Sequence, residues 1–312
     1  MLDSREPKRA RRTWKPLVLW AVSVLLLIVL YSAADWRQVG GALTRIRWAP
    51  FVAALALFVP QTLVSAWRWR LLIASIQSVS LAESLRQTLA ASALNLVFPS
   101  KMGDFSKAAM CGKLHWKPIA ARAVWEKALD VAALVSCGLL ALLAEPGLAL
   151  LLGLIAVLLL YHGGDAWRSS ATGKTAACWP GAVGASLALW SLHLLQISLM
   201  LHSMGAAVPW HESFARVPCA IFAGLVPVSA WGIGTRDAAL VWMFSDLAPA
   251  SQVAAAGLLT ALRYLLPGLA GIPFLSGYLA RWSQAAPSAS GDSSSLPASK
   301  TPAAGSGVPS RL

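Results

Sequence analysis

From residue 17 to residue 34 no side chain carries a charge. That stretch is close to the roughly 20 residues a helix needs to cross a bilayer. Span-length apolar segments recur at 50–74, 119–143, 179–204 and 250–280, with a shorter one at 148–161. The runs are continuous rather than alternating, so helices are the spanning element. The expected fold class is an all-α polytopic membrane protein. Composition agrees: 57% of residues are hydrophobic and 12% charged, against about a quarter charged in soluble domains.

The charge balance bears on partners. There are 26 Lys and Arg against 13 Asp and Glu, for a net charge of +13. The basic residues sit at helix ends instead of gathering on one soluble face. Positive-inside topology and anionic lipid explain them better than nucleic acid does. Residues 1–15 form a basic arm, which serves as a topology signal or a head-group contact. Fifteen Trp residues suit interfacial belts, and Trp67-Arg68-Trp69-Arg70 is read as such a belt at the end of the second span. Trp36, Val39, Leu43 and Ile46 recur at helical spacing and suggest a short interfacial helix. The membrane region runs over residues 16–282. The Ser/Ala/Pro/Gly-rich tail at 283–312 cannot bury a core and is expected to be disordered.

Two spans are broken. Residues 84–98 are apolar but short, and the chain then turns through Pro99-Ser100-Lys101-Met102-Gly103-Asp104 towards Lys107. A second break runs from Pro227 through Ser229, Gly232 and Gly234 to Arg236-Asp237. Paired broken segments are a pointer to a transporter site. Each break is expected to be a re-entrant hairpin, giving about six full spans plus two hairpins. The halves at about 50–143 and 179–280 repeat the same order of features. With the N-terminus and tail in the cytoplasm, the first hairpin dips from inside and the second from outside, an inverted repeat.

At the first break, Pro99 removes a backbone donor and Gly103 permits unusual dihedrals. Free N–H groups beside Lys101 and Lys107 would suit a phosphate, and Asp104 is placed to cap the second helix. Ser229, Gly232, Gly234, Arg236 and Asp237 offer the same roles at the second break. Arg122, Glu126 and Asp130 are spaced by four and share a helix face. They either neutralise one another, Arg122 with Glu126 and Lys127 with Asp130, or line a cavity. Arg263 is a lone cation in an apolar helix, suited to Asp237 or a lipid phosphate. The site is thus expected to draw on these residues.

Hydrolase, metalloprotease and P-loop motifs are missing. His193 and His202 lack a carboxylate at metal-ligand spacing. The four cysteines form no C-x-x-C pair. Gly103-Asp104 has Lys101 where an intramembrane aspartyl protease would have its first glycine. No enzyme activity, metal or cofactor is expected.

The ordered set Arg68-x-Arg70, Asn95…Pro99-Ser100-x-x-Gly103-Asp104-x-x-Lys107, Glu126-Lys127-x-x-Asp130 and Pro227-x-Ser229-x-x-Gly232-x-Gly234-x-Arg236-Asp237 resembles the lysylphosphatidylglycerol synthase transmembrane, flippase-like family. The resemblance covers roughly residues 15–282. Family members usually carry Glu and Arg where this chain has Asp104, Lys107 and Asp237. The resemblance implies a bacterial inner-membrane protein that moves a phosphate-bearing phospholipid or polyprenyl lipid between leaflets. Larger relatives add a soluble aminoacyl-transferase domain, so synthase activity is not expected here. The partner expected is a membrane lipid. A non-transporting scaffold for a lipid-modifying enzyme is the alternative.

Overall fold

The computed structural model describes residues 36–112, 116–141, 178–225 and 234–284, with isolated helical positions between 21 and 28. The described residues are helices joined by turns and short irregular links. The basic arm, most of the 17–34 span, the 148–161 span, the turn from Pro227 to Gly232 and nearly all of the tail lie outside them.

Helix α1 (Trp36–Thr44) leads into α2 (Trp48–Ala56) and α3 (Phe58–Ile73). Pro60 sits in the first turn of α3 and cannot donate to a carbonyl four residues back, and the rod is interrupted at Leu57. Ser80 caps α4 (Leu81–Asn95) by accepting from the Glu83 N–H. A 3-10 turn (Pro99–Phe105) and α5 (Ser106–Met110) follow, then α6 (Trp116–Ala141). The second half holds α7 (Trp179–Ser203), α8 (Trp210–Leu225), α9 (Thr235–Met243), α10 (Ala250–Leu259) and α11 (Leu262–Gln284).

Three stretches have the length and low charge of membrane spans: Trp48–Ile73, Trp179–Ser203 and Ala250–Ala280. They match the expected second, fifth and last spans. The last is interrupted between α10 and α11, at Thr260 and Ala261. Helix α6, with 26 residues, is about 39 Å long at about 1.5 Å per residue. Arg122, Glu126, Lys127 and Asp130, between its second turn and its middle, set it apart from the other three.

Two apolar cores form. One gathers Trp69, Leu72, Ile73, Ile119, Ala123 and Leu129 from the first half, with Ala182. The other gathers Leu194, Ile197, Val217, Leu240, Phe244 and Val253 from the second half, with Leu134. The apolar stripe of α1 covers this second core through Val39 and Leu43, with Ile46 just beyond the helix, so that face meets protein, not head groups.

The helices exchange partners between halves. Helix α4 of the first half packs along α11 of the second, and α6 of the first packs on α8 of the second. Helices α3 and α7 pack on each other. Small residues allow these approaches, since lipid gives apolar helices no solvent-driven reason to associate. A Cβ on Gly271 would lie 1.8 Å from the Leu89 carbonyl oxygen, so α11 and α4 meet at backbone distance. Between the cores, Gln61 Nε2 donates to Gln196 Oε1 at 3.2 Å, and Gln196 Nε2 to the Ala54 carbonyl at 2.8 Å. These amides satisfy each other in a setting where an unpaired one would be costly.

Candidate functional site

The first break is built by close approach. Pro99 opens the 3-10 turn, where its missing N–H leaves no partner wanting. A Cβ on Gly103 would fall 2.6 Å from the Asn95 nitrogen and 2.8 Å from the Ala91 carbonyl oxygen. Its φ is not among the positive ones, which belong to Gly112, Gly205 and Gly234 among the described glycines. Gly103 is therefore needed for proximity to α4, which corrects the expectation of an unusual dihedral. Proximity sets Asp104 beside Asn95, whose Nδ2 donates to Asp104 Oδ1 at 2.8 Å. Lys127 donates to the other oxygen. Helix α5 starts without a side-chain cap, so Asp104 serves this bridge instead of the expected cap.

Behind it lies a buried ion network. Lys107 is 1% exposed, and its Nζ donates to both oxygens of Glu126, at 2.9 and 2.8 Å. It also stands 4.9 Å from the Trp69 ring centroid. Arg68, 2% exposed, donates to Glu126 Oε1 at 2.9 Å, Asp130 Oδ1 at 2.5 Å and Ser186 Oγ at 3.1 Å. Asp130 also accepts from Trp190 Nε1 at 3.1 Å and faces Lys127 Nζ at 3.4 Å. Arg68, Lys107 and Lys127 thus meet Asp104, Glu126 and Asp130. Desolvating such ions is tolerable only because each finds opposite charge and further hydrogen bonds.

A cavity of about 110 Å³ opens on this network, lined among others by Gln61, Thr88, Asn95, Glu126, His193 and Arg263. Gln61 is about 20 Å along the Trp48–Ile73 span at about 1.5 Å per residue, so the cavity reaches mid-span depth. His193 lies edge-on to Trp190, with ring centroids 5.4 Å apart. His202 stacks on Trp210 at 4.4 Å, a packing role. Among the described residues no metal-ligand cluster occurs.

The second break closes on itself. Gly234 has φ 93°, a left-handed conformation that favours glycine. The turn lets Asp237 Oδ2 accept from the Gly234 N–H at 3.3 Å. Arg236 donates to Asp237 Oδ1 through Nε at 2.8 Å and NH2 at 2.6 Å, and to the Gly257 carbonyl at 3.0 Å. Both are at most 2% exposed. Ser229 and Gly232 lie outside the described residues.

The family model described as "Lysylphosphatidylglycerol synthase TM region" matches residues 17–271. The chain belongs to this family. The match takes in all three described spans up to Gly271. Nothing among the curated proteins matches the chain.

Within this family member, the expected site residues fall into three groups. Asn95, Asp104, Glu126, Asp130 and Arg263 line one cavity. Lys107 and Arg236 are each locked to a carboxylate, so neither stands open to a head group as expected. Arg122 is buried but is not in the cavity wall; Glu126 is engaged from outside its helix by Arg68 and Lys107, where an Arg122 pair was expected. The Lys127–Asp130 pair does form. Asp237 is held by Arg236, not Arg263. Pro99, Ser100 and Lys101 are described by backbone only. Sequence reasoning missed Arg68 by reading it as an interfacial belt residue. The signal was charge balance: two carboxylates on one face of α6 ask for cations from elsewhere.

Proposed function

We propose that the protein is a lipid translocator, moving a phosphate-bearing phospholipid or polyprenyl lipid across the bacterial inner membrane. The supporting observation is a polar cavity reaching mid-span depth, bordered by ionised side chains that apolar helices bring together. Ionisable residues inside membrane spans ordinarily mark a substrate path. Family membership supports a lipid-related role. The exchange of α4 with α11 and of α6 with α8 supports reading the halves as a repeat. In this reading the repeat is inverted, the N-terminus and tail are cytoplasmic, and one half rocks against the other. The carboxylates of the network are all ion-paired, which favours binding and passage over covalent chemistry. The partner in this reading is the lipid itself.

The test is reconstitution of the full chain into liposomes carrying fluorescent lipids on one leaflet. Faster leaflet exchange than in protein-free vesicles is the expected result. Exchange no faster than in those vesicles, across anionic, zwitterionic and polyprenyl-phosphate lipids, overturns the reading.

A further inference from the structure

We infer that Arg263 is the anion-binding residue of the cavity, and that the lipid it selects carries a net negative head group through a phosphate. This inference deepens the translocator reading and rests on it for the cavity being a lipid site.

The argument begins with charge. The ion network and the cavity wall together hold four cations, Arg68, Lys107, Lys127 and Arg263. Against them stand three carboxylates, Asp104, Glu126 and Asp130. The first three cations are bonded to those carboxylates. Arg263 is the surplus. It is 8% exposed, and its NH1 has no hydrogen-bond partner. Among the described residues no carboxylate lies within ion-pair distance of it, and its contact with the Tyr264 ring, at 5.3 Å, supplies only a weak counterweight. A guanidinium is always charged, and a buried charge without a counter-ion is costly. The wall therefore lacks one negative charge, at a donor placed to supply hydrogen bonds to it.

A second group at the cavity points the same way. Thr88 Oγ1 on α4 is buried and has no partner, although it could have bonded back to the preceding turn. Thr88 and Arg263 line the same cavity from the two helices that meet at Gly271. A phosphate offers both of them acceptor oxygens, and guanidinium–phosphate geometry suits the planar fork of Arg. The same count argues against a cationic head group. No carboxylate of the wall is left unpaired to receive one, and a further positive charge would add to the surplus. Lys107 and Arg236 do not compete for the role: each is neutralised by its own carboxylate, and although Arg236 NH1 is also left without a partner, neither residue lines the cavity.

The experiment compares full-length wild-type protein with Arg263→Gln, Arg263→Lys and Thr88→Val, all purified in the same detergent. Binding is read by native mass spectrometry with phosphatidylglycerol, phosphatidylcholine and lysylphosphatidylglycerol, whose head groups are negative, neutral overall and positive. Wild type is expected to prefer phosphatidylglycerol over the other two by about tenfold. Arg263→Gln is expected to lose that preference, Arg263→Lys to keep part of it, and Thr88→Val to weaken it a few-fold. An unchanged preference in Arg263→Gln overturns the inference, as does a wild-type preference for the cationic lipid. If Arg263→Gln does not fold, the Lys variant decides: no preference for the anionic over the zwitterionic lipid counts against it. Inorganic phosphate is added as a competitor. Displacement of phosphatidylglycerol at millimolar phosphate would assign the site to a soluble anion and overturn the lipid class. Leaflet exchange is measured separately. Charge-selective binding without exchange leaves the anion site standing while the translocator reading falls.

Discussion

The two breaks begin from similar residues and end in different places. Gly103-Asp104 with Lys107, and Gly234 with Arg236-Asp237, each set a glycine ahead of paired opposite charges. At the first break the charges reach outward: Asp104 to Asn95 and Lys127, Lys107 to Glu126. At the second they turn inward, Arg236 onto its neighbour Asp237. What differs is the facing helix. Helix α6 brings Glu126, Lys127 and Asp130 to the first break. Helix α10 brings Gly257, where a Cβ would stand 3.1 Å from Asp237. A charged helix opens a network beside a cavity; a small residue seals a pair. The same local motif becomes part of an open network or a closed latch according to what packs on it.

The largest test of that contrast is the removal of each central carboxylate. Glu126→Ala leaves Lys107 and Arg68 short of a partner and is expected to lower stability by about 3–5 kcal/mol, read as unfolding in detergent. Asp237→Ala strands one cation and is expected to cost less within that range. Equal melting of Glu126→Ala and wild type would show that the network is not the buried unit described. A smaller effect is expected at the seal. Gly257→Ala pushes on Asp237 and is expected to cost about 1–3 kcal/mol as overpacking, with no change in lipid preference. A shift in lipid binding in this variant would break the division into open network and closed latch.

The smallest effect is expected at the surface. Arg216 bridges α8 and the α9–α10 turn through Glu212, at 2.8 Å, and Asp246. Hydrogen bonding from Arg216 holds the Asp246 carboxyl below its ordinary value. A carboxyl depressed on folding contributes stability above its unfolded pKa, and the contribution is lost as pH falls through the folded value. Melting temperature should therefore dip slightly more on acidification below about pH 4 in wild type than in Asp246→Asn. Asp246 is exposed, so the difference is small and should shrink further in high salt. A pH profile of Asp246→Asn that overlays wild type would remove this pair from the account.

Much of the scaffold was legible, because span length and apolar continuity are local properties. The runs at 50–74, 179–204 and 250–280 became helices at those places, while α4 stops at Asn95, short of the expected end at residue 98 beside Pro99. Pairing was legible only within reach of one helix turn, as with Lys127 and Asp130. Arg68 reaches Glu126 across 58 positions, and no spacing rule along one helix finds such a partner. Arg236 and Asp237 were hidden for the opposite reason. Adjacent residues on a helix do not normally face each other, and only the turn at Gly234 brings them together. Gly103 was recognised as necessary but for the wrong cause, since its neighbour in space is α4.

The meeting of α4 and α11 also sets an order of assembly. The ion partners Arg68, Lys107 and Glu126 are all made before residue 130. The segment that covers α4 follows Asn95 by about 170 positions, and translation proceeds at about 5–20 residues per second. For roughly 10–30 s, α4 would wait with the Leu89 carbonyl and the Thr88 hydroxyl uncovered, in lipid or against the insertion machinery. The first half would thus hold a charged network together before its outer wall arrives. Gly271, the closest point of that wall, would close the molecule last.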